Sequence, residues 1–236
     1  MEQSLSQLQL RIALSVLTSP TKALDLTHYA YALVNLPHFR MSKRRGRYVA
    51  FDDVLDEAIK RALNEVEHRS PHLPDALKRR IAEAVGVGAV KYTLLSVAPS
   101  KQVLFSWEKV LNFEMNSAPF IQYAHARACN ILKKATSDTA QPDYALLKDT
   151  SEKLVVLKLA LFPETIIDAA DRQEPSRIAE YANDLAACFN TFYAAVPVLH
   201  STSSELMATR LDLVTAVRIV IRNALKILGI TALERM

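Results

Sequence analysis

One stretch constrains the fold more than any other. From Ser117 to Ala135 the chain reads SAPFIQYAHARACNILKKA, and its apolar residues return with the period of an α-helix. Phe120, Ile121, Ala124, Ala128, Ile131, Leu132 and Ala135 fall within about 120° of one another on a wheel of 100° per residue, which makes one face for burial. Ser117 has the side chain of an N-cap, and Pro119 falls in the first turn, where a missing N–H costs nothing. Beside the apolar face, Tyr123, Arg127, Asn130 and Lys134 follow at i, i+4, i+7 and i+11 and form a separate stripe. A flat ring, a planar cation, an amide and an ammonium are the mixture that stacks on an unpaired base and grips phosphate. The plainer reading is a solvated helix face with a snorkelling arginine. The residues alone leave both readings open.

Composition agrees with a helical protein. Four glycines and ten prolines among 236 residues, half of them hydrophobic, suit helices joined by short connections around a real core. The balance of 29 Lys+Arg against 25 Asp+Glu gives +4, a slight lean toward a polyanionic partner. Cys129 and Cys188 stand far apart in no metal-ligand spacing, so no metal site is expected and a reduced compartment fits. No apolar run reaches the length of a membrane span, and the first twenty residues lack the layout of a signal peptide. A soluble cytoplasmic protein is the expectation.

In chain order, residues 2–17 read as a helix with Leu5, Leu8, Ile12 and Val16 near one face, ending before Pro20. Leu26 to Leu36 alternates and is rich in aromatic and β-branched residues, which predicts a strand. Arg40 to Gly46 is a basic run closed by glycine. Asp52 to Asn64 is an amphipathic helix with Asp52 or Asp53 as N-cap, and Glu65 to Leu73 reads as a polar loop and a domain boundary. From Pro74 onward the pattern is helical throughout. Gly86 and Gly88 bend the first of these helices or admit another backbone; Val85 to Ala89 lacks the spacing of a nucleotide loop. Ala135 to Asp149 is a loop. Ser151 to Phe162 is encircled by Leu154, Val155, Leu157, Leu159 and Leu161, which predicts a deeply packed helix. Helices begin again at Pro163 and Pro175, the second with Ile178, Ala182, Leu185, Phe189 and Phe192 as core. Thr202 and Glu205 form a capping-box pattern for the last helix. Gly229 is placed for a left-handed C-cap with Ile230 as its lock, and Arg210, Arg218, Arg222 and Lys226 load the exposed side.

Several fixed residue types recur in order over about thirty positions: Phe105-Ser106-Trp107-Glu108, Leu111-Asn112-Phe113-Glu114, and Gln122-Tyr123-Ala124-His125-Ala126-Arg127. This run is similar to the start of the anticodon-binding domain of arginyl-tRNA synthetases, in which that helix faces the tRNA anticodon. The resemblance implies anticodon contact for Tyr123 and Arg127, with Asn130 and Lys134 on the same stripe. The ending Leu228-Gly229-Ile230, then Leu233-Glu234-Arg235-Met236, resembles the family's tail and implies a base contact for Met236. Met41-Ser42-Lys43-Arg44 looks like the Lys-Met-Ser-Lys-Ser loop of class I aminoacyl-tRNA synthetases, which places a lysine on ATP phosphates. That resemblance gives Lys43 and Ser42 catalytic roles and assigns Met41, Ser42, Lys43 and Arg44 to ATP. Arg40 stands where the family has a first lysine and keeps charge without the geometry. The Asp-Ala-Leu-Arg run that names the family's helical domain is absent as such; Arg210-Leu211-Asp212-Leu213 occupies that neighbourhood.

The resemblance implies a mainly α chain: a helical-bundle anticodon-binding domain over 71–236, preceded by a short α/β remnant of a class I nucleotide-binding fold over 1–70, its signature loop at 40–46. The family's His-x-Gly-His motif does not occur in the 236 residues. Without the rest of the parallel sheet, residues 1–50 are expected to repack or to be covered by another chain. The expected function is the C-terminal part of an arginine–tRNA ligase, binding tRNA(Arg), with ATP used only alongside the missing catalytic half and no aminoacylation alone. A stand-alone tRNA-binding or scaffolding module is the alternative. A helical protein with no nucleic-acid role is what composition by itself supports.

Overall fold

Amphipathic helices dominate the molecule, and the cores they build explain where its open surfaces lie. The structure is a computed structural model, and it describes residues 3–35, 49–135 and 140–236. The basic run at 40–46 therefore lies outside the described residues.

The chain begins with α1 (Ser4–Leu17) and the short α2 (Pro20–Leu24), which starts at a Ser19 cap followed by proline. A helix was expected here and α1 is one, but none of its residues is buried: Leu5, Leu8, Ile12, Val16 and Leu17 all face outward. The strand expected over Leu26–Leu36 shrinks to β1 (Val34–Asn35). It pairs in parallel with β2 (Val103–Leu104), with Val34 opposite Val103 and Asn35 opposite Leu104. The Ala32 N–H adds a bond to the Pro99 carbonyl at 2.8 Å, and the Phe105 N–H one to Asn35 at 2.9 Å. Alternation gave the extended conformation, but a ladder needs a neighbour, and among the described residues β1 has one partner only two residues long. The strand β2 interrupts the region expected to be wholly helical. Val103 and Phe105, the residue just after the strand, are buried and Leu104 between them is exposed, an alternation too short to stand out from a helical pattern.

Helix α3 (Phe51–Arg69) is longer than expected at both ends. It starts at Phe51, with Ala50 in the cap position and Asp52 and Asp53 inside the first turn, where the dipole favours them. At the other end it runs through the expected polar loop to Arg69. Val66 is buried there, and Arg69 Nε donates to Glu65 at 2.9 Å one turn back. Pro71 prevents further extension. Helix α4 (Asp75–Leu95) packs along α3, and Gly86 sets how closely. A Cβ there would sit 2.7 Å from the Ile59 nitrogen and 2.8 Å from the Ala58 carbonyl carbon. The glycine admits a backbone, one of the two roles expected of it.

Two small clusters flank this pair, one around Ala62, Val66, Leu73, Ile81 and Val85 and one around Ala58, Val90, Phe105 and Val110. After α5 (Trp107–Val110) comes α6 (Ala118–Lys134), capped by the Ser117 hydroxyl, which accepts from the Phe120 N–H. Then follow a 3-10 turn (Tyr144–Leu146), α7 (Thr150–Ala160), α8 (Phe162–Arg172), α9 (Ser176–Ala195) and α10 (Ser204–Ile227). The largest core joins α6, α9 and α10: Ile121, Ala124 and Ala128 meet Leu185, Phe189, Phe192, Val214, Val217 and Ile221. The aromatic residues Phe189 and Phe192 are core, as the periodicity predicted. Among the described residues, no helix is long and apolar enough to cross a membrane.

Three details differ from the sequence reading. Helix α7 is not deeply packed. Only Val155 of its apolar set is buried, and Leu154, Leu157 and Leu161 are exposed, because α7 lies on the outer side of the bundle and touches it along one edge. The cap of α10 is Ser203, which accepts from the Leu206 N–H, so Glu205 falls one place short of a capping box. Arg210 turns inward: its Nε donates to Glu152 at 2.7 Å, and Nη1 donates to the Pro197 carbonyl at 2.8 Å. Glu152 also closes a capping box with Asp149 at the start of α7. Asp212, two residues after Arg210, accepts from the Tyr144 hydroxyl at 3.0 Å.

Candidate nucleic-acid interface

Helix α6 sorts its residues onto two working sides. Its apolar face is buried in the bundle, which fixes the rotation of the helix and turns Tyr123, Arg127, Asn130 and Lys134 outward together. These four, with Met236 from the segment after α10, line one open cleft of about 260 Å³. Ala126, Ile131, Tyr193 and Leu199 complete its walls. The five stripe and tail residues singled out in the sequence are thus brought to one place. Ser42, Lys43, Met41 and Arg44 lie outside the described residues, so their geometry is not defined.

At the centre of the cleft stands Arg127. Its guanidinium carbon lies 4.8 Å from the centre of the Tyr123 ring and 5.1 Å from that of Tyr193. Its Nη1 donates to Asn190 Oδ1 at 2.5 Å. Two aromatic faces attract the cation, and the amide fixes the plane of the fork. Each tyrosine remains 44% exposed, so neither is closed off by the packing around Arg127. Asn130 and Lys134 are exposed farther along the same side. The arrangement offers stacking surface, a held planar cation, an amide and a mobile ammonium. It can take up unstacked bases and neutralise adjacent phosphates.

Sequence reasoning missed Asn190 and Tyr193. They sit at i and i+3 on α9, beside the core residues Phe189 and Phe192, and the aromatic periodicity of that helix was read as packing. The available signal was that Tyr193 falls off the face defined by Leu185, Phe189 and Phe192. It also missed the buried polar pair on α6, Gln122 and His125, which turn away from the cleft. Burial and the nearby Arg218 and Arg222 hold the His125 imidazole below its ordinary range, although its bond to the Leu233 carbonyl works the other way. Among the described residues, no group of three or more His, Cys, Asp or Glu side chains is arranged to hold a metal ion.

The comparisons with known proteins cover both parts of the chain. Residues 121–236 match the family model of the DALR anticodon binding domain, and residues 2–107 match that of the catalytic domain of class I (R) tRNA synthetases. The arginine–tRNA ligase of Methanocella arvoryzae is 45% identical over 235 residues, covering 100% of this chain and 41% of that protein. That of Pyrococcus abyssi is 44% identical over 245 residues, covering 100% and 38%. The chain thus spans about two fifths of the length of the curated relatives it matches. Among solved structures, Thermus thermophilus arginyl-tRNA synthetase superposes with a TM-score of 0.89 at 36% identity, over 98% of this chain and 39% of that one. The Plasmodium falciparum enzyme shares the fold, with a TM-score of 0.81 at 20% identity over 100% of this chain and 40% of that one. With its helical bundle, its cleft and these matches taken together, the chain belongs to the arginyl-tRNA synthetase family.

Proposed function

We propose that this chain supplies anticodon recognition to an arginine–tRNA ligase, binding tRNA(Arg) through the α6 cleft. The observation that carries the reading is the Arg127 fork held between two half-exposed tyrosines, with Asn130, Lys134 and Met236 around the same opening. A merely solvated arginine has no need of two rings and an amide to hold it. In this reading Tyr123 and Tyr193 stack on bases, Arg127 donates to base edges or phosphate, and Lys134 neutralises backbone charge. The proposed division of labour places the catalytic remnant in 1–70 and the tRNA-facing bundle in 71–236, with α4, the first helix of the second part, packed against α3 of the first. Lys43 and Ser42, supported by the signature-loop resemblance, would stabilise charge on the ATP phosphates when the remainder of the catalytic fold is present. Alone, the chain is expected not to activate arginine.

The exposed apolar stripe of α1 supports the companion proposal that another polypeptide surface covers residues 1–35 in the working enzyme. The deciding experiment measures binding of a tRNA(Arg) transcript to the chain and to Arg127→Ala. A loss of roughly 1–3 kcal/mol is expected, with affinity falling as salt rises. An unchanged dissociation constant returns the stripe to the solvated-face reading.

A further inference from the structure

The side of α6 opposite the cleft carries its own unexplained chemistry. Gln122 and His125 are 0% and 2% exposed, polar residues set among an otherwise apolar face. Both reach the segment that follows α10. Gln122 Nε2 donates to the Thr231 carbonyl at 2.8 Å and to the Ala84 carbonyl of α4 at 3.1 Å. His125 meets the Leu233 carbonyl through Nδ1 at 2.8 Å; a carbonyl only accepts, so the ring carries its proton on Nδ1. One step earlier, Lys91 Nζ donates to the Gly229 carbonyl at 2.6 Å. Carbonyls 229, 231 and 233 are thus taken in turn, every second residue, as an extended chain presents them.

The path of this segment is prepared at both ends. Gly229 adopts φ 67°. The N–H groups of Gly229 and Ile230 return to the carbonyls of Lys226 and Leu225, a Schellman turn that sends the chain off the end of α10. Gly88 clears the ground beneath: a Cβ there would lie 3.0 Å from Ile230 Cγ2 and 3.2 Å from Gln122 Nε2. At the far end, Met236 emerges in the wall of the cleft. Gln122 is an odd choice for packing alone, since its Oε1 is buried with no hydrogen-bond partner among the described residues. A leucine would fill that space without stranding an acceptor, but it could not hold Thr231.

We infer that Gln122 and His125 are positioning residues for the nucleic-acid site: they strap residues 229–236 across the back of α6 so that Met236 is held as one wall of the cleft. The helix therefore reads its ligand with one side and fixes the cleft's wall with the other. The inference rests on the reading of the cleft as an RNA site, and the test separates the two.

The full chain is labelled at its methionine methyl groups with ¹³C and titrated with a tRNA(Arg) transcript. In Gln122→Leu, and in Lys91→Met, whose exposed side chain poses no folding risk, the Met236 methyl signal should narrow and move to its random-coil position. Met115 and Met207 should keep theirs. Affinity should fall about tenfold, the scale of one lost base contact, and Gln122→Leu should cost nothing further in a Met236→Ala background. An unmoved Met236 signal, a moved signal with unchanged affinity, or fully additive losses would each overturn the strap. Tyr123→Ala is measured alongside. If it weakens binding while Lys91→Met and Gln122→Leu do not, the strap falls and the cleft reading stands; if neither Tyr123→Ala nor the strap variants matter, both fall.

Discussion

Arg210→Met isolates the most deeply set ion pair among the described residues. The side chains of Arg210 and Glu152 are 10% and 1% exposed, and they meet at 2.7 Å. Glu152 has a second duty, accepting the Asp149 N–H at 2.9 Å to close the cap of α7. Arg210 has two more, to the Pro197 carbonyl at 2.8 Å and the Ser201 hydroxyl at 3.3 Å. Removing the arginine leaves a carboxylate in the interior with one N–H for company. Stranding one member of a buried pair typically costs about 3–5 kcal/mol. For a chain of this size that is a fall of roughly 6–20 °C in Tm. Pro197 is exposed and Ser201 half-buried, so their lost bonds add little beside the stranded charge. Replacing both members, Glu152→Met with Arg210→Met, removes the stranded charge and leaves mainly the damaged cap, about 0.5–2 kcal/mol. Guanidinium denaturation followed by circular dichroism gives both values. A single-variant loss below about 1 kcal/mol, or a double variant less stable than Arg210→Met, refutes the claim that burial rather than attraction sets the energy here.

Other perturbations probe separate parts of the fold. Gly86→Ala should destabilise the chain by about 1–3 kcal/mol in the same denaturation assay, since the new methyl meets the α3 backbone and no side chain can move aside. His125 should make stability pH-dependent. Its folded-state value lies below the ordinary 6.5, so the unfolded chain binds more protons near that pH. The contribution is present above pH 6.5 and is lost as pH falls from there through the folded value; melting curves between pH 7 and 5 should show a drop that His125→Phe flattens. Leu8→Glu with Ile12→Glu on exposed α1 should leave stability within about 0.5 kcal/mol while reducing binding of a hydrophobic dye.

How far the sequence could be read depended on whether the deciding contact was local. The cap of α6, the Schellman turn at Gly229 and the core face of α9 each depend on residues a few positions apart, and all were legible. The stripe of Tyr123, Arg127, Asn130 and Lys134 was legible for the same reason, because helical geometry alone puts those side chains together. Tyr193 and Asn190 were not, since their meeting with Arg127 depends on how α9 crosses α6. Arg210 read as a surface cation until Glu152, 58 residues earlier, was brought beside it. Helix α7 erred in the opposite sense. A ring of leucines predicts burial all round, and nothing local says that a helix lies at the margin of a bundle. The strand over Leu26–Leu36 failed because a ladder is a property of two segments.

Helix α4 passes through the cluster around Ile81 in its first half and the one around Val90 in its second, and sends Tyr92 into the core of the bundle. Its 21 residues at 1.5 Å each make a rod of about 31 Å. With Gly86 pressed against α3, the rod has little freedom to slide, only to swing. A tilt of ~5° about Gly86, near the middle of the rod, would move each end by ~1 Å in opposite directions. That makes α4 a rocker: whatever displaces its Val90 end near β1 and β2 is delivered, reversed in sense, to the Leu77 end on which residues 233–235 lie.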